Sequence, residues 1–345
     1  MSMIKDSTMQ EIVEQIGRKN AILLKFINQY TPTTWLAIQA NVRAGKAKAL
    51  YAVGDELICN YTFNGVAYQC PWVVVDNDRK CEWEDGTLHD GLWLSMKYAT
   101  PESIQFDHPE ETTVDTATET TAQDGWYYWG KTGTTYSALN LSTGDTIPTS
   151  GYDSIVKCGI NDVNVLKFGY NRWSHSAYRQ WLNSGDEFGE WWTAQHLGDV
   201  APNELNTYKG FMAGLDSDFR SVVTPIKVKT SCNTVTDGGV TDTTVDTFFL
   251  PSVEEVYGVP QIADIEGPYF PYWKQVTGFN VPDNGANNGR KIFALNAKTS
   301  AQTCRLRSAN RGSSYGAWNV NASGGLGNGY TASSAYRCAP ACVIS

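Results

Sequence analysis

The chain has 345 residues, which is enough for one large domain with an appendage or for two domains. Hydrophobic residues make up 41% and charged residues 18%, so we expect a folded globular protein rather than a disordered chain. The net charge is −9, because residues 1–50 carry +4 and the remaining residues carry −13. Because phosphate binding needs a basic face, this acidic body argues against nucleic acid as a partner.

Residues 1–32 predict a helix that serves oligomerisation or docking. Met9, Ile16, Leu23 and Tyr30 recur at seven-residue spacing, the period of a coiled-coil seam. A homo-oligomer is therefore predicted, and a trimer is one arrangement that the spacing allows. A helix packed against its own domain is the alternative, and the spacing does not separate the two.

The first ten residues bear on cellular location. They include Lys5 and Asp6 and lack the apolar core of a signal peptide. No apolar run approaches the ~18 residues that a membrane-spanning helix needs. The sequence therefore predicts synthesis in a cytoplasm and no membrane span.

Residues 33–50 predict a linker helix. It follows the break at Pro32, and Trp35, Leu36, Ile38 and Val42 form its apolar face. Beyond it, we expect residues 51–345 to form the main domain.

Patterns in residues 51–345 favour an α+β domain of mixed, mainly antiparallel strands with two or more helices and long loops. Residues 57–63 and 66–74 alternate in polarity around Asn64-Gly65, which is a strong hairpin signal. Residues 110–150 are rich in Thr, Gly and Asp and predict an exposed insertion. A short buried strand is expected at 248–250, followed by a capped turn from Ser252 to Glu255.

The eight cysteines are predicted to be buried, reduced thiols. They contain no C-x2-C pair and have no accompanying His cluster, so no zinc site is expected. Cys338 and Cys342 would lie roughly 13 Å apart on one face of a strand, too far for a mutual disulfide. We expect no cofactor, and the sequence leaves a structural calcium ion open.

The last forty-one residues have a distinct composition. Residues 305–345 contain no Asp, Glu, Lys, Gln or Met, and Gly, Ser, Asn and Tyr fill 20 of the 41 positions. Antibody binding loops use a similar set of residues, because Tyr supplies rigid contact area and the small polar residues supply adaptable hydrogen bonds. Strand alternation over 317–321 predicts that Trp318 and Val320 point inward, while Ala317, Asn319 and Asn321 are displayed.

Three stretches near the end of the chain carry a family resemblance: CRLRS at 304–308, NVNASGGL at 319–326 and YRCAPACVI at 336–344. They resemble the closing strands of C-type-lectin-like domains in the sulfatase-modifying-factor group, and more narrowly those of phage and prophage proteins. Residues 35–55, 171–183, 191–192 and 246–255 resemble the same proteins. The resemblance implies a C-type-lectin-like fold for residues 51–345.

Several relatives of this type are variable proteins of diversity-generating retroelements, in which adenine-directed mutagenesis rewrites a C-terminal stretch. Asn codons altered in this way do not produce Lys, Glu, Gln, Met or Trp, and the segment lacks the first four. The resemblance therefore implies a variable region at 305–340. Its displayed, ligand-binding positions would be Asn310, Ser313, Ser314, Tyr315, Asn319, Asn321, Asn328, Tyr330, Ser333, Ser334 and Tyr336.

The function implied is that of a receptor-binding virion protein. It would attach to phage structural proteins and bind a bacterial surface protein or glycan, with oligomerisation adding avidity. A structural or decoration protein of the virion is one alternative. A carbohydrate-binding lectin is another, although 281–283 and 201–203 contain only fragments of a calcium-dependent sugar loop.

An enzyme is the least favoured class, and we expect no catalytic residue. Some members of the fold group are formylglycine-generating oxidases with a reactive C-terminal Cys pair, but the spacing of Cys338 and Cys342 departs from that pattern. The four histidines show no spacing that places two on one face of an element. The chain also lacks the HExxH motif of zinc-dependent hydrolases.

Overall fold

The computed structural model describes residues 15–19, 34–277 and 288–345. Residues 15–19 are helical, as expected within the predicted N-terminal helix, and the rest of residues 1–32 lies outside the described residues. The proline-containing fragment at 281–283 also lies outside them.

The described chain alternates short helices with many short strands. The strands are β1 (Glu56–Phe63), β2 (Val66–Asp76), β3 (Lys80–Glu82), β4 (Leu88–Asp90), β5 (Leu92–Met96), β6 (Ile104–Gln105), β7 (Thr112–Thr113), β8 (Tyr127–Thr132), β9 (Thr135–Ala138), β10 (Ser154–Cys158), β11 (Ile226–Ser231), β12 (Thr241–Asp246), β13 (Phe248–Phe249), β14 (Ile292–Ala294), β15 (Ala297–Gln302), β16 (Cys304–Ala309), β17 (Gly316–Val320), β18 (Leu326–Thr331), β19 (Ala335–Tyr336) and β20 (Ala341–Ile344). The helices are α1 (Trp35–Arg43), α2 (Ala47–Leu50), α3 (Val163–Phe168), α4 (Ala177–Leu182), α5 (Ser217–Arg220), α6 (Val253–Tyr257) and α7 (Pro271–Thr277), with 3₁₀ turns at Trp173–His175, Phe211–Gly214 and Asn288–Arg290.

The central sheet has five antiparallel strands in the order β1-β2-β5-β20-β13. Strand β20 therefore lies between two strands that come from distant parts of the chain. All four of its residues are buried, which matches the continuous apolar pattern of a strand covered on both faces. The architecture is α+β with mainly antiparallel pairing.

The predicted hairpin is confirmed. Strands β1 and β2 pair from Glu56↔Val73 to Phe63↔Val66. At the turn, Asn64 has φ 49° and Gly65 has φ 76°, and two left-handed residues are what a two-residue turn between right-twisted strands requires.

The predicted linker helix is instead part of the domain. Ile38 and Val42 on α1 are buried in the main core, whereas Leu36, assigned to the same face, is 64% exposed. The Arg43 Nε donates a hydrogen bond to the backbone oxygen of Ser345 at 3.2 Å. The helix is thus fixed to the end of β20 and does not connect separate bodies.

The predicted insertion forms its own four-stranded sheet in the order β7-β10-β8-β9. Its fourth strand, β10, follows the predicted end of the insertion at residue 150. The sheet has a small core of its own, which includes Val114, Tyr128, Ile147 and Ile155. A second small hydrophobic cluster packs β10 against α3.

A buried ion-pair network joins helix α6 to strand β16. Glu255 and Ser252 form the predicted capping box at the start of α6. The Oε2 of Glu255 accepts a hydrogen bond from the Arg307 Nη1 at 2.6 Å, and its Oε1 accepts one from the Arg79 Nη1 at 2.8 Å. Arg307 also donates to the backbone oxygens of Leu250 and Glu266.

The charges in this network compensate one another. Burial alone would raise the pKa of Glu255, but Arg307 and Arg79 outweigh burial and hold that pKa below its usual range. Because Glu255 and Arg307 have side chains only 1% and 2% exposed, the loss of either partner would leave a buried charge incompletely paired.

The eight cysteines are buried free thiols, as predicted. Among the described residues, no helix is both long and apolar enough to cross a lipid bilayer.

We expect Arg307→Met to lower the free energy of unfolding by about 3–5 kcal/mol, because it removes one of the two cations paired with the buried Glu255 and a donor to three backbone oxygens. Urea unfolding followed by tryptophan fluorescence measures the change. The control is Lys80→Met, which breaks an ion pair with Asp90. The two side chains of that pair are 57% and 49% exposed, so the pair should contribute less than about 1 kcal/mol to the free energy of unfolding. Equal losses in the two variants would contradict this account of the network.

Candidate ligand-binding surface

The predicted variable region forms strands β16 to β19, and β17 is the central strand of the three-stranded sheet β16-β17-β18. Val320 is buried, as predicted, and Trp318 is half-buried, with its Nε1 donating to the Gln261 Oε1 at 3.0 Å. The predicted display of Ala317 and Asn319 is wrong, because both are fully buried. Both faces of β17 are covered, so alternation along the strand does not separate a core face from a solvent face.

Ser314 is a second correction to the predicted displayed set. It is 1% exposed, and its Oγ has no hydrogen-bond partner. The loop that contains it closes over Asn171, whose Nδ2 donates to the backbone oxygens of Ser313 and Gly316 at 2.6 and 2.7 Å.

Asn319 and Asn321 lie beside Gly327 on the neighbouring strand. A Cβ atom at Gly327 would lie 2.4 Å from the Oδ1 of each asparagine, so only glycine fits there. Within the part of the chain that the structure describes, neither the Oδ1 nor the Nδ2 of Asn319 has a hydrogen-bond partner. Asn321 is half-buried. The side chain of Asn328 lies outside the part of the chain that the structure describes.

The remaining predicted positions are all partly exposed. They are Asn310, Ser313, Tyr315, Tyr330, Ser333, Ser334 and Tyr336. They lie on two adjoining loops, 310–316 and 330–336, since the Ala332 N donates to the Tyr315 backbone oxygen at 2.8 Å.

Three tyrosines and two serines of these loops form what we call the tyrosine patch: Tyr315, Tyr330, Ser333, Ser334 and Tyr336. The rings of Tyr330 and Tyr336 meet edge to face with their centroids 5.1 Å apart. Aromatic side chains of this kind provide rigid contact area at low entropic cost.

A buried arginine holds the backbone of the patch. Arg305 is 1% exposed and donates to the backbone oxygens of Tyr330, Thr331 and Ser334. Its guanidinium lies 4.7 Å from the centre of the Tyr336 ring. Burial lowers the pKa of Arg305 to about 10, so it remains a cation at neutral pH.

The structure adds two residues to the patch that the sequence did not reveal. The Phe168 ring lies 5.2 Å from the Tyr315 ring, and its backbone oxygen accepts from the Ser333 N. The Gln105 Nε2 donates to the Ser333 backbone oxygen at 2.7 Å. Both come from outside the C-terminal segment, so its composition contained no signal for them.

The fold also assembles a polar cluster that histidine spacing did not predict. His175 and His196 stack with ring centroids 5.4 Å apart. The His196 Nε2 lies 2.7 Å from the Glu110 Oε1, and the Cys158 Sγ donates to the Glu110 Oε2 at 3.2 Å. These contacts tie the insertion sheet to the main body.

The protonation of this cluster favours a structural role. Burial lowers the pKa of His175 to about 4, assisted by the charges of Arg172 and His196. Burial also raises the pKa of Cys158 far above its usual value, and Glu110 raises it further. A nucleophilic thiol needs an electropositive setting that lowers its pKa, and Cys158 has the opposite one.

The C-terminal cysteine pair has a similar environment. Burial raises the pKa of Cys338 to about 12 and that of Cys342 well above its usual value. Both thiols are therefore protonated at neutral pH. Within the described residues, no three His, Cys, Asp or Glu side chains are grouped so that they could hold a metal ion.

A family model described as a domain of unknown function, DUF6273, matches residues 155–345, which is more than half of the chain. The chain belongs to this family. The DUF6273 match begins within β10 and includes the three-stranded sheet, the tyrosine patch and β20, but not the hairpin β1–β2 or β5. No curated protein and no solved structure matches the chain.

We expect Asn319→Leu to raise the free energy of unfolding by about 1–3 kcal/mol, because it replaces two unpaired buried polar atoms with apolar atoms of similar shape. Chemical denaturation measures the difference. The matched control is Asn171→Leu, which removes a buried amide that is fully hydrogen-bonded and should lower stability. A loss of stability in both variants would show that the Asn319 amide does have partners.

Proposed function

We propose that the protein is a non-enzymatic ligand-binding protein of bacteriophage or prophage type, with a C-type-lectin-like scaffold and the tyrosine patch as its recognition surface. The ligand would be a bacterial surface protein or glycan, and the protein would act as part of a virion. The fold assignment and the virion location rest on the resemblance of the closing strands.

The observation that carries the proposal is the tyrosine patch on its fixed backbone. Tyr315, Tyr330 and Tyr336 are partly exposed, while Arg305 beneath them holds three backbone oxygens of loop 330–336. A binding surface gains affinity when its aromatic anchors are rigid before the ligand arrives. Side chains at such positions can also change without loss of the framework.

The burial pattern narrows the proposed variable region. We limit diversification to the partly exposed positions Asn310, Ser313, Tyr315, Asn321, Tyr330, Ser333, Ser334 and Tyr336. Asn319 and Ser314 are excluded, since a larger side chain at a closely packed position would strain the core.

The binding role is tested with fluorescently labelled protein on a panel of bacterial cells, read by flow cytometry. We expect Tyr330→Ala and Tyr336→Ala each to weaken attachment by roughly tenfold or more, the effect of removing an aromatic anchor. The control is Tyr127→Ala, which removes an exposed tyrosine on the separate insertion sheet and should bind like the wild type. Wild-type protein that attaches to no cell would favour a structural virion protein.

Diversification is tested by deep sequencing of the gene from a population of the source phage or prophage. We expect substitutions at adenines in the codons of the eight partly exposed positions, and invariant codons for Asn319, Ser314 and Arg305, because core packing tolerates few replacements. A neighbouring reverse transcriptase gene with a second copy of the segment should accompany them. Variation spread evenly over buried and exposed codons would contradict the proposal.

A further inference from the structure

A pocket lined by residues outside the tyrosine patch has the features of a small-molecule site. It lies between the β1–β2 turn and residues 207–214, with about 740 Å³ of open space. Its lining includes Tyr61, Phe63, Glu102, Phe188 and Tyr208. It shares no lining residue with the patch, so it is independent of the proposed function. We call it the Glu102 pocket.

Glu102 is a buried carboxyl group with an unused acceptor. It is 5% exposed, and its Oε1 accepts a hydrogen bond from the Tyr61 hydroxyl at 2.7 Å. Its Oε2 is buried and has no hydrogen-bond partner among the described residues. An unpaired buried acceptor is costly and uncommon in native proteins, and a ligand that donates to Oε2 would remove this cost.

No basic side chain of the pocket neutralises Glu102. Lys209, which also lines the pocket, is paired with Glu187 at 2.7 Å. Among the ion pairs of the described residues, none includes Glu102. The overall charge of −9 adds to the negative potential at the site and favours a cationic ligand.

The walls of the pocket are aromatic. The rings of Phe63 and Tyr208 lie 6.1 Å apart, and Phe188 at the rim is 51% exposed. Aromatic faces attract cations through the ring quadrupole and pack against apolar groups. The Tyr61 hydroxyl already donates to Glu102, so it does not donate to a bound sugar in this arrangement.

We propose that the Glu102 pocket binds a small organic ammonium ion, whose N–H groups donate to the Glu102 Oε2 while its apolar part packs against Phe63 and Tyr208. Three features indicate this ligand class: the unpaired oxygen of Glu102, the aromatic walls, and the lack of an ion-pair partner for Glu102 among the described residues. This activity is binding and involves no covalent step.

Binding should depend on pH. Burial raises the pKa of Glu102 to about 7, although the Tyr61 hydrogen bond and the charge of Arg337 lower it. The other titratable groups around Glu102 are Tyr208 and Cys338, and Glu204 lies near Tyr208. Glu102 is a carboxylate above about pH 7 and neutral below it, so acidification should weaken the binding of a cation.

The experiment is isothermal titration calorimetry of the full chain with benzylammonium, with benzyl alcohol as its neutral analogue. At about pH 8 we expect saturable binding of benzylammonium and at least tenfold weaker binding of benzyl alcohol. At about pH 5.5 the affinity for benzylammonium should fall by about tenfold or more, because the carboxylate is protonated there.

Three variants test the assignment of residues. Glu102→Gln should remove both the binding and its pH dependence, and Ala213→Trp should block the pocket, since Ala213 is an exposed lining residue. Glu84→Gln, which neutralises an exposed carboxylate that does not line the pocket, should bind like the wild type. Thermal unfolding of each variant establishes that it is folded.

The proposal is overturned by equal binding of benzyl alcohol and benzylammonium, by unchanged binding in folded Glu102→Gln, or by no saturable binding of the wild type at about pH 8. Binding of methyl glucoside in place of benzylammonium would also overturn it and identify a sugar site. None of these outcomes bears on cell attachment through the tyrosine patch, so the two proposals fail separately.

Discussion

Strand β20 lies between β5 and β13, so one short, fully buried strand joins the N-terminal hairpin layer to the C-terminal half of the domain. Helix α1 and residue Thr224 donate hydrogen bonds to the backbone oxygen of Ser345, just beyond this strand. Because the pairing partners are far apart in sequence, bringing them together costs more chain entropy than pairing neighbouring strands does. The rest of the structure depends on this pairing.

The pairing of β20 with β5 explains why the part matched by DUF6273 does not form the central sheet by itself. Residues 155–345 supply β13 and β20, whereas β1, β2 and β5 come from the preceding residues. Without β5, strand β20 would expose one edge and one row of unpaired backbone groups. The insertion sheet, in contrast, has its own core and is tied to the main body through Glu110, His196 and Cys158.

Two buried arginines on β16 hold neighbouring parts of the domain in place. Arg307 joins β16 to α6 through Glu255, and Arg305 on the same strand holds the loop that presents the tyrosine patch. The two residues differ in the partners they use, because Arg307 pairs with a carboxylate and Arg305 with backbone oxygens alone. Rigid support from below allows a surface loop to keep its shape while its exposed side chains differ.

Local sequence patterns correctly predicted the elements whose structure depends on residues close together in the chain. Asn64-Gly65 predicted the hairpin because two left-handed residues are needed at its turn, and Ser252 with Glu255 predicted the start of α6 because their side chains satisfy nearby backbone groups. The alternation of polar and apolar residues on either side of that turn likewise predicted two paired antiparallel strands. These features depend on neighbouring residues, so no knowledge of the tertiary structure was needed.

The sequence did not predict which side chains are covered by elements from distant parts of the chain. Alternation assigned Asn319 to solvent, but β17 is covered on both faces, and the neighbours that cover it come from elsewhere in the chain. The contact of His175 with His196, the approach of Phe168 to Tyr315 and the placement of Glu102 at an aromatic pocket have the same origin. Period and composition describe one element at a time, whereas burial depends on which elements meet, and only the tertiary structure decides that.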